Sequence, residues 1–576
     1  MSLRQSPPKS KNKKILGGAI GNCVHVAGIY EYLRIAGQSG YDIKFLGPAV
    51  DPESLVKAIG SFDPEIVCLS YRLTPTTLEN LLGTLFSLLE SENLIRNRIY
   101  YFGGTPGCVI IARKFNFFSH FFIGEEPYSE IQETLFLDSE SVTDQFKIHE
   151  RIAFSSQDLS PRAMKTIIEN GRYLPMIRHH FGLPSLENTI EGVKKIAESG
   201  LVDLISIGPD QNAQEFFFEP DKMDHSLDGA GGVPLRTEED LVRIWNATQR
   251  GNFPRLRIYA GTRNLLKWAD LSVRTIRNAW GTIPLFWYSV LDGRSNRPIE
   301  DAIRENMEVI RWYAEHGIPV EVNDSHQWSL RDTSDAIAVA DFYLAAYNAK
   351  KLGVKTYIAQ YMFNTPRLSS GKMDLAKMLA KKEMISRLED DNFVCITEVR
   401  AGLTHFSIDM DVAKGQLAAS TLLAFSLKPQ ILHVVSFSEA DHAATADDVI
   451  ESCKIVKGVV KNAWRGFPDM TLDPEVIHRK EYLIRQADII LEEIRTAFQG
   501  DSADPLCDPA CLARSIESGI LDAPQLKNNP VALGVIKTMP VNGGYDSVDA
   551  QGKVLSETER IRKNIPSFSK DPGEIL

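Results

Sequence analysis

A single histidine stands in a short glycine-bounded stretch near the start of this chain, Gly21-Asn22-Cys23-Val24-His25-Val26-Ala27-Gly28. Imidazole is a common metal ligand, and a ring held in a loop can bind a metal through one nitrogen while a neighbour fixes the other. The same residue can instead do no more than cap the helix that follows. A second set of chemically capable residues is spread over the later chain. It comprises Arg178-His179-His180, Asp210-Gln211-Asn212, Tyr259 with Arg263, Tyr288 with Asp292, Asp324-Ser325-His326, Gln360-Tyr361, Glu398 with Arg400, and Ser436 with Glu439. Taken singly, an Asp or His of this kind is a helix cap or a surface residue. Brought to one face, the set makes a polar, aromatic-rich rim able to bind a small molecule.

The elements that position these residues are legible in the hydrophobic pattern. Ile15–Ile20, Pro64–Ser70, Arg98–Phe102 and His120–Gly124 read as strands, the third running into Gly103-Gly104. Amphipathic stretches lie between them, such as Gly28–Gly37 and Thr77–Leu89, where Leu78, Leu81, Leu82, Leu85 and Leu88 recur at helical spacing. Strands alternating with helices predict a doubly wound α/β domain over residues 14–138, whose ligand site lies at the carboxyl ends of the strands. Residues 1–13 read as a disordered lead and residues 139–165 as a linker, polar and without periodicity.

Over residues 166–474 eight apolar runs recur: Tyr173–Ile177, Val202–Ile207, Leu256–Tyr259, Ile283–Trp287, Pro319–Val322, Lys355–Ile358, Phe393–Thr397 and Ile431–Val435. Helical patterns separate them, including Leu186–Ser199, Ile299–His316, Ser334–Lys351 and Ala413–Leu427. Eight strands each followed by a helix predict a (β/α)8 barrel, with its chemistry at the carboxyl ends of the strands. Residues 475–576 read as a C-terminal extension, one long helix over Glu475–Phe498 and then a mostly irregular tail.

Composition narrows the class of function. The chain has 576 residues, 43% hydrophobic and 24% charged, with a net charge of −11. An acidic balance argues against a nucleic-acid partner. No run of about 18 apolar residues suggests a membrane span, and no signal-peptide pattern is present. Seven scattered cysteines suit a reducing cytoplasm. Cys507 and Cys511, the close pair, lack the second ligand pair of a structural zinc site. The expected partners are a small-molecule substrate and a second copy of the chain in a homodimer.

The order Cys23-x-His25-x-x-Gly28, then Ser70 with Thr74, then Gly103-Gly104 resembles the cobalamin-binding, flavodoxin-like domain of methionine synthase and of the adenosylcobalamin mutases. Those domains carry Asp-x-His-x-x-Gly, a Ser followed four residues on by Thr, and Gly-Gly. The resemblance implies that His25 ligates the cobalt of the cofactor, with Cys23, Gly28, Ser70, Thr74, Gly103 and Gly104 around the corrin and its nucleotide tail. Cys23 stands where the family has the aspartate that orients the histidine. A carboxylate there fixes the tautomer and raises ligand basicity, which a thiol does poorly.

The barrel and tail, from Arg178 to Ile561, look like the large subunit of glutamate mutase, best through Asn296–Lys372 and Thr397–Asp448 and more loosely around Leu512–Ala523. The resemblance implies a barrel that closes over adenosylcobalamin. The arginines that grip glutamate in that family fall at Asp210, at Tyr259 and near His180, with Arg178 close enough to confuse the register. The lysine contacting the adenosyl ribose falls at Ser436, while an acidic partner remains as Glu439. Glutamate is therefore not the expected substrate. Asp210, His180, Tyr259 and His326 are the catalytic candidates; Ser436 and Glu439 are cofactor-binding; Arg178, Gln211, Asn212, Arg263, Asp324 and Tyr361 are substrate-binding. A carboxylate at Asp210 favours a cationic substrate, unless it pairs internally with Arg178 or Arg263.

The function expected is that of an adenosylcobalamin-dependent radical isomerase acting on a small polar metabolite. A corrinoid methyltransferase is the alternative, although no Cys-x-Cys or His-x-Cys pattern is present to activate a methyl acceptor. A non-catalytic cobalamin carrier fits a full barrel with a polar rim less well.

Overall fold

In a computed structural model, residues 13–124, 126, 131, 134, 135, 175–259, 261–402 and 405–564 are described. The expected linker, and all of the expected lead but Lys13, lie outside them. The chain divides into two compact units, Met1–Ala153 and Phe154–Leu576.

The first unit is built on a five-stranded parallel sheet: β1 (Lys14–Ala19), β2 (Asp42–Phe45), β3 (Ile66–Tyr71), β4 (Ile99–Gly104) and β5 (Phe118–Phe122). Its strand order, β2-β1-β3-β4-β5, is that of a flavodoxin-like doubly wound sheet. Helices cover both faces, so its central strands are apolar on both sides. Leu16, Val67, Leu69 and Phe102 pack with Leu78, Leu82 and Leu85 of the helix Pro75–Ser91 on one face. Ile15, Ile66, Cys68 and Tyr101 pack with Ile29, Leu33 and Ala36 of the helix Ala27–Gln38 on the other. Strand β2 escaped the sequence reading because it is an edge strand, with Asp42, Ile43 and Phe45 exposed and no apolar run to announce it.

Among its described residues the second unit holds eight parallel strands, each overlapping an expected apolar run, with β6 lying later and β9 earlier than expected. They are β6 (Met176–Phe181), β7 (Leu204–Ile207), β8 (Arg255–Ile258), β9 (Gly281–Ile283), β10 (Val320–Val322), β11 (Thr356–Phe363), β12 (Val394–Ala401) and β13 (Ile431–Val434). The order β8-β7-β6-β13-β12-β11-β10-β9 brings the last strand beside the first, as in a (β/α)8 barrel. The sheet is nearly closed. At the remaining seam, between β8 and β9, Ala279 N–H donates to the Leu256 carbonyl at 2.9 Å and Asn278 Oδ1 accepts from Ile258 N–H at 3.1 Å.

Because alternate residues of a strand point inward, the barrel interior is stacked in layers. An apolar floor contains Met176, Leu204, Trp280, Ile358, Ile396 and Ile431. The next layer is polar and largely charged: Arg178, Gln360 and Glu398, two residues beyond floor residues on their strands, with Arg257 of β8 and Glu321 of β10, joined by hydrogen bonds. One more step reaches the rim.

The C-terminal extension is continuous with the barrel's helix layer. Its long helix, Pro474–Ala497, buries Leu483, Ala487, Ile490 and Ile494 in the same core as the barrel helices. The tail is more regular than its sequence suggests, with a helix at Pro509–Glu517, a hairpin of β14 (Thr538–Val541) and β15 (Gly544–Ser547), and a last helix at Glu557–Asn564.

Candidate functional site

Two sites are built at strand ends, one in each unit. In the first unit the chain leaves β1 through Gly21, whose φ of +65° is left-handed backbone; a Cβ there would lie 2.3 Å from Leu81 Cδ1. Gly21 N–H donates to the Val50 carbonyl at 2.8 Å, the Cys23 carbonyl accepts from Ala49 N–H at 2.9 Å, and Tyr71 Oη donates to Asn22 Oδ1 at 3.1 Å. The loop is thus pinned at three residues just before the histidine.

His25 is exposed, and its Nδ1 lies 3.8 Å from Sγ of the fully buried Cys23. The following helix has Val26 at its N-cap and no side chain capping it, so the bland role for His25 is not the one it plays. Its remaining nitrogen, Nε2, is left for a ligand. The buried thiol thus lies beside Nδ1 of the ring.

Beside this loop a cavity of ≈ 260 Å³ opens between the helix Ala27–Gln38 and the sheet, lined by His25, Gly28, Tyr32, Ser70, Gly103 and Gly104 among others. Two phenols that line it are anchored by hydrogen bonds, as Tyr32 Oη meets Thr134 Oγ1 at 3.0 Å and Tyr101 Oη donates to the Thr134 carbonyl at 2.8 Å. Ser70 Oγ is buried there without a partner among the described residues. Space for a side chain remains open at Gly28 and beside Gly103, whereas a Cβ on Gly104 would meet the Tyr71 carbonyl at 2.5 Å. An orphaned hydroxyl facing an apolar slot with glycine walls fits a long, flat-headed group such as a corrin with a nucleotide tail. Thr74 does not line the slot; it is exposed at the start of the helix Pro75–Ser91, so its expected contact with the tail is corrected.

In the second unit a cavity of ≈ 340 Å³ sits at the rim, over the ends of β6, β7, β8, β12 and β13. His180 and Tyr259, separate candidates in the sequence, are brought together: Tyr259 Oη is 2.8 Å from His180 Nε2, and the rings stack at 5.0 Å with 4° between their planes. His433 packs on the other side of His180, ring centroids 4.7 Å apart. Burial, with Arg178, Arg257 and Arg400 nearby, holds the His180 imidazole well below its ordinary value; His433 is held low by burial and the same arginines. The Oη–Nε2 contact is a single hydrogen bond whose donor is set by the His180 tautomer. Ser436 and Glu439 line the same cavity, and burial raises the Glu439 carboxyl against the opposing pull of Arg400. His326 is buried at the end of β10, its imidazole pushed down to about 3 by burial, and it is not among the residues lining this cavity.

Several expected substrate contacts are corrected by what those side chains already hold. Asp210 is fully buried and accepts from both terminal nitrogens of Arg236 (3.0 and 2.6 Å), from Ala213 N–H and from Gly229 N–H. Neither Arg178 nor Arg263 is its partner; it caps the helix Gln211–Phe216 and anchors a loop. Asn212 is spent on the Asp224 backbone and on Asp228, Gln211 is exposed, and Arg263 pairs with Glu215 at 3.3 Å. Arg178 is sealed inside the barrel with Ser206, Glu321 and Glu398. Asp324 accepts from the backbone N–H groups of Leu285 and Phe286, and burial lifts its carboxyl to about 7. Tyr361 faces away from the barrel axis, against Phe342 of the helix Asp335–Lys351.

The role of Asp210 yields a prediction. Asp210→Asn should destabilise the protein by about 2 kcal/mol, the scale of hydrogen bonds to a charged group, and leave ligand selectivity unchanged. Urea unfolding together with ligand binding tests this. Altered selectivity at unchanged stability would return Asp210 to the substrate site.

One rim residue was named in the sequence only as a strand-end neighbour of Glu398. Arg400 lines the cavity two residues beyond Glu398 on β12, across from His433 in register. Strand parity was the signal that could have found it.

No family model matches the chain, and no curated protein matches it. Among solved structures, a cobalamin-binding protein from Desulfitobacterium hafniense DCB-2 shares 23% identity over 19% of this chain and 53% of its own, with a TM-score of 0.17. The chain thus spans about half of that relative. The cobalamin-dependent S-adenosylmethionine radical enzyme OxsB, in its apo form, shares 11% identity over 86% of this chain and 69% of its own, TM-score 0.18. NtrX from Brucella abortus, in complex with ATP, shares 12% over 85% and 94%, TM-score 0.15. At these scores none of them assigns fold or function. Among the described residues no helix is long and apolar enough to cross a membrane.

Proposed function

We propose that the protein binds adenosylcobalamin and is a radical isomerase acting on a small polar metabolite other than glutamate. The observation that carries the reading is the His25 loop, with Cys23 Sγ at Nδ1 and a glycine-walled slot containing the orphaned Ser70 hydroxyl beside it. His25 would hold cobalt through Nε2; Ser70, Gly28, Gly103 and Gly104 would border the tail. When bound, adenosylcobalamin supplies a carbon-centred radical by homolysis of its cobalt–carbon bond. The barrel's part is to bind and orient the substrate and exclude water. Glu439 offers a hydrogen-bonding group for the adenosyl moiety, whereas the Ser436 hydroxyl is held by Ser438 and Ser452. The stacked His180–Tyr259 pair stands where the resemblance places two family arginines, which would remove a dicarboxylate grip and supports a substrate other than glutamate.

The test is reconstitution of the full chain with adenosylcobalamin and, separately, with methylcobalamin in the dark. After removal of free cofactor, a retained cobalamin spectrum is expected, and paramagnetic cobalt with an organic radical should appear when adenosylcobalamin and a turnover substrate are both present. Methyl transfer from bound methylcobalamin to an acceptor would make the protein a corrinoid methyltransferase instead. Retention of neither cofactor would end the cobalamin reading.

The thiol beside His25 gives a prediction of its own. Cys23→Asp should strengthen axial ligation, because a carboxylate at Nδ1 raises imidazole basicity where a thiol does little. A gain of about 10-fold in cobalamin affinity is expected, the lower end of the effect of such partners. If neither the cobalt spectrum nor its pH dependence moves, Cys23 is not the residue that orients His25.

A further inference from the structure

We propose that Arg400 is the anion anchor of the barrel cavity and takes the carboxylate of a small substrate bearing a single carboxylate group. The proposal rests on the reading above for the reaction the ligand undergoes, but the binding site is argued from the barrel alone.

Inward-facing charge in the barrel comes in layers. Below the rim, Arg178 contacts both Glu321 and Glu398, and Arg257 pairs with Glu321 at 3.0 Å, so two cations face two carboxylates. Beside the cavity, Arg236 is held by Asp210 and Asp228, and Arg263 by Glu215. Each of these guanidinium groups is already matched. Arg400 is different. It is 7% exposed and lines the cavity, and among the described residues its one hydrogen bond runs from Nε to the Ala401 carbonyl at 3.1 Å. That bond turns the guanidinium while leaving both terminal nitrogens for a ligand. His180 and His433, the neighbouring basic groups, are neutral and donate no competing charge.

Glu439 and Glu398 act on Arg400 through space, but among the described residues no carboxylate is hydrogen-bonded to its fork. A buried guanidinium left so is costly, and the cost is recovered when an anion with two oxygens meets its planar fork. The cavity also sets a limit on that anion. Glu439 lines it and, among the described residues, forms no ion pair. A second carboxylate on the ligand would meet Glu439 and, among the described lining residues, find no second arginine or lysine. One carboxylate fits; two do not.

The full chain without cobalamin is titrated with butyrate, succinate and butylamine, with binding read by saturation-transfer NMR. Butyrate is expected to bind, succinate at least about tenfold more weakly, and butylamine not at all, since removing one side of a buried charge pair costs this much or more. Arg400→Gln should weaken butyrate at least about tenfold, and Glu439→Gln should narrow the gap between butyrate and succinate. Should Arg400→Gln fail to fold, Glu439→Gln decides alone. Succinate or butylamine binding as well as butyrate, unchanged butyrate affinity in folded Arg400→Gln, or an unchanged ratio in Glu439→Gln overturns the proposal. His25→Ala should leave butyrate binding intact. A chain that selects butyrate but holds no cobalamin defeats the cobalamin reading only, and one that holds cobalamin but binds the three probes alike defeats the role of Arg400 only.

Discussion

Glu321→Ala is expected to destabilise the barrel by about 3–5 kcal/mol, a large share of the stability of a typical domain. Glu321 is fully buried and accepts from Arg178 at 3.2 Å, Arg257 at 3.0 Å, the Trp280 indole at 2.8 Å and Gln360 at 2.9 Å. Removing it leaves two buried guanidiniums sharing Glu398. Breaking such a group is far more costly than its net contribution, because the charge left behind has neither partner nor water. Burial alone would raise the Glu321 carboxyl, yet Arg257 and Arg178 carry it below the ordinary 4.5. Its stabilising contribution is therefore present above that value and is lost as pH falls through the lower folded one. All 7 tryptophans lie in the barrel unit, so their fluorescence during urea unfolding follows this unit selectively. A midpoint equal to wild type would mean that the charged layer is not what holds the barrel interior together.

The second large effect is expected on the cofactor. His25→Ala should reduce cobalamin affinity by more than about 100-fold and change the cobalt spectrum. Loss of a residue that merely supports a ligand costs 10–100-fold, and loss of the ligand itself should exceed that. The fold should survive, because His25 is exposed and, among the described residues, the hydrogen-bonding contact of its ring is the one to Cys23. Equilibrium dialysis, absorption spectra and a thermal melt of the same preparation separate ligation from folding. Unchanged affinity and spectrum in a folded variant would reduce His25 to a surface residue.

Much of this protein was written locally in its chain. The alternation of apolar runs with amphipathic stretches, and the glycines at the ends of β1 and β4, were enough to expect a doubly wound domain followed by eight strand–helix units. Both signals act over a few residues, through side-chain periodicity and backbone freedom, so they survive without tertiary context. The His25 loop belongs to the same class, since its ligand and the orienting position are two residues apart. Which charges remain free was decided only by the tertiary structure. Asp210 meets Arg236 across 26 residues and Arg178 meets Glu398 across 220, and no local pattern announces either pair. Strand length mattered as much. The apolar run at Lys355–Ile358 suggested a short strand with Tyr361 in a rim loop, but β11 continues to Phe363 because Tyr361 and Phe363 are buried on its outer face. On a continuous strand the faces alternate. Gln360 therefore turns inward to Glu321 and Glu398 and Tyr361 turns out toward the helices. The same alternation on β12 lifts Arg400 one layer above Glu398 and into the cavity, because side chains two apart share a face; the carboxylates that pair with arginines inside the barrel, Glu321 and Glu398, lie one layer below.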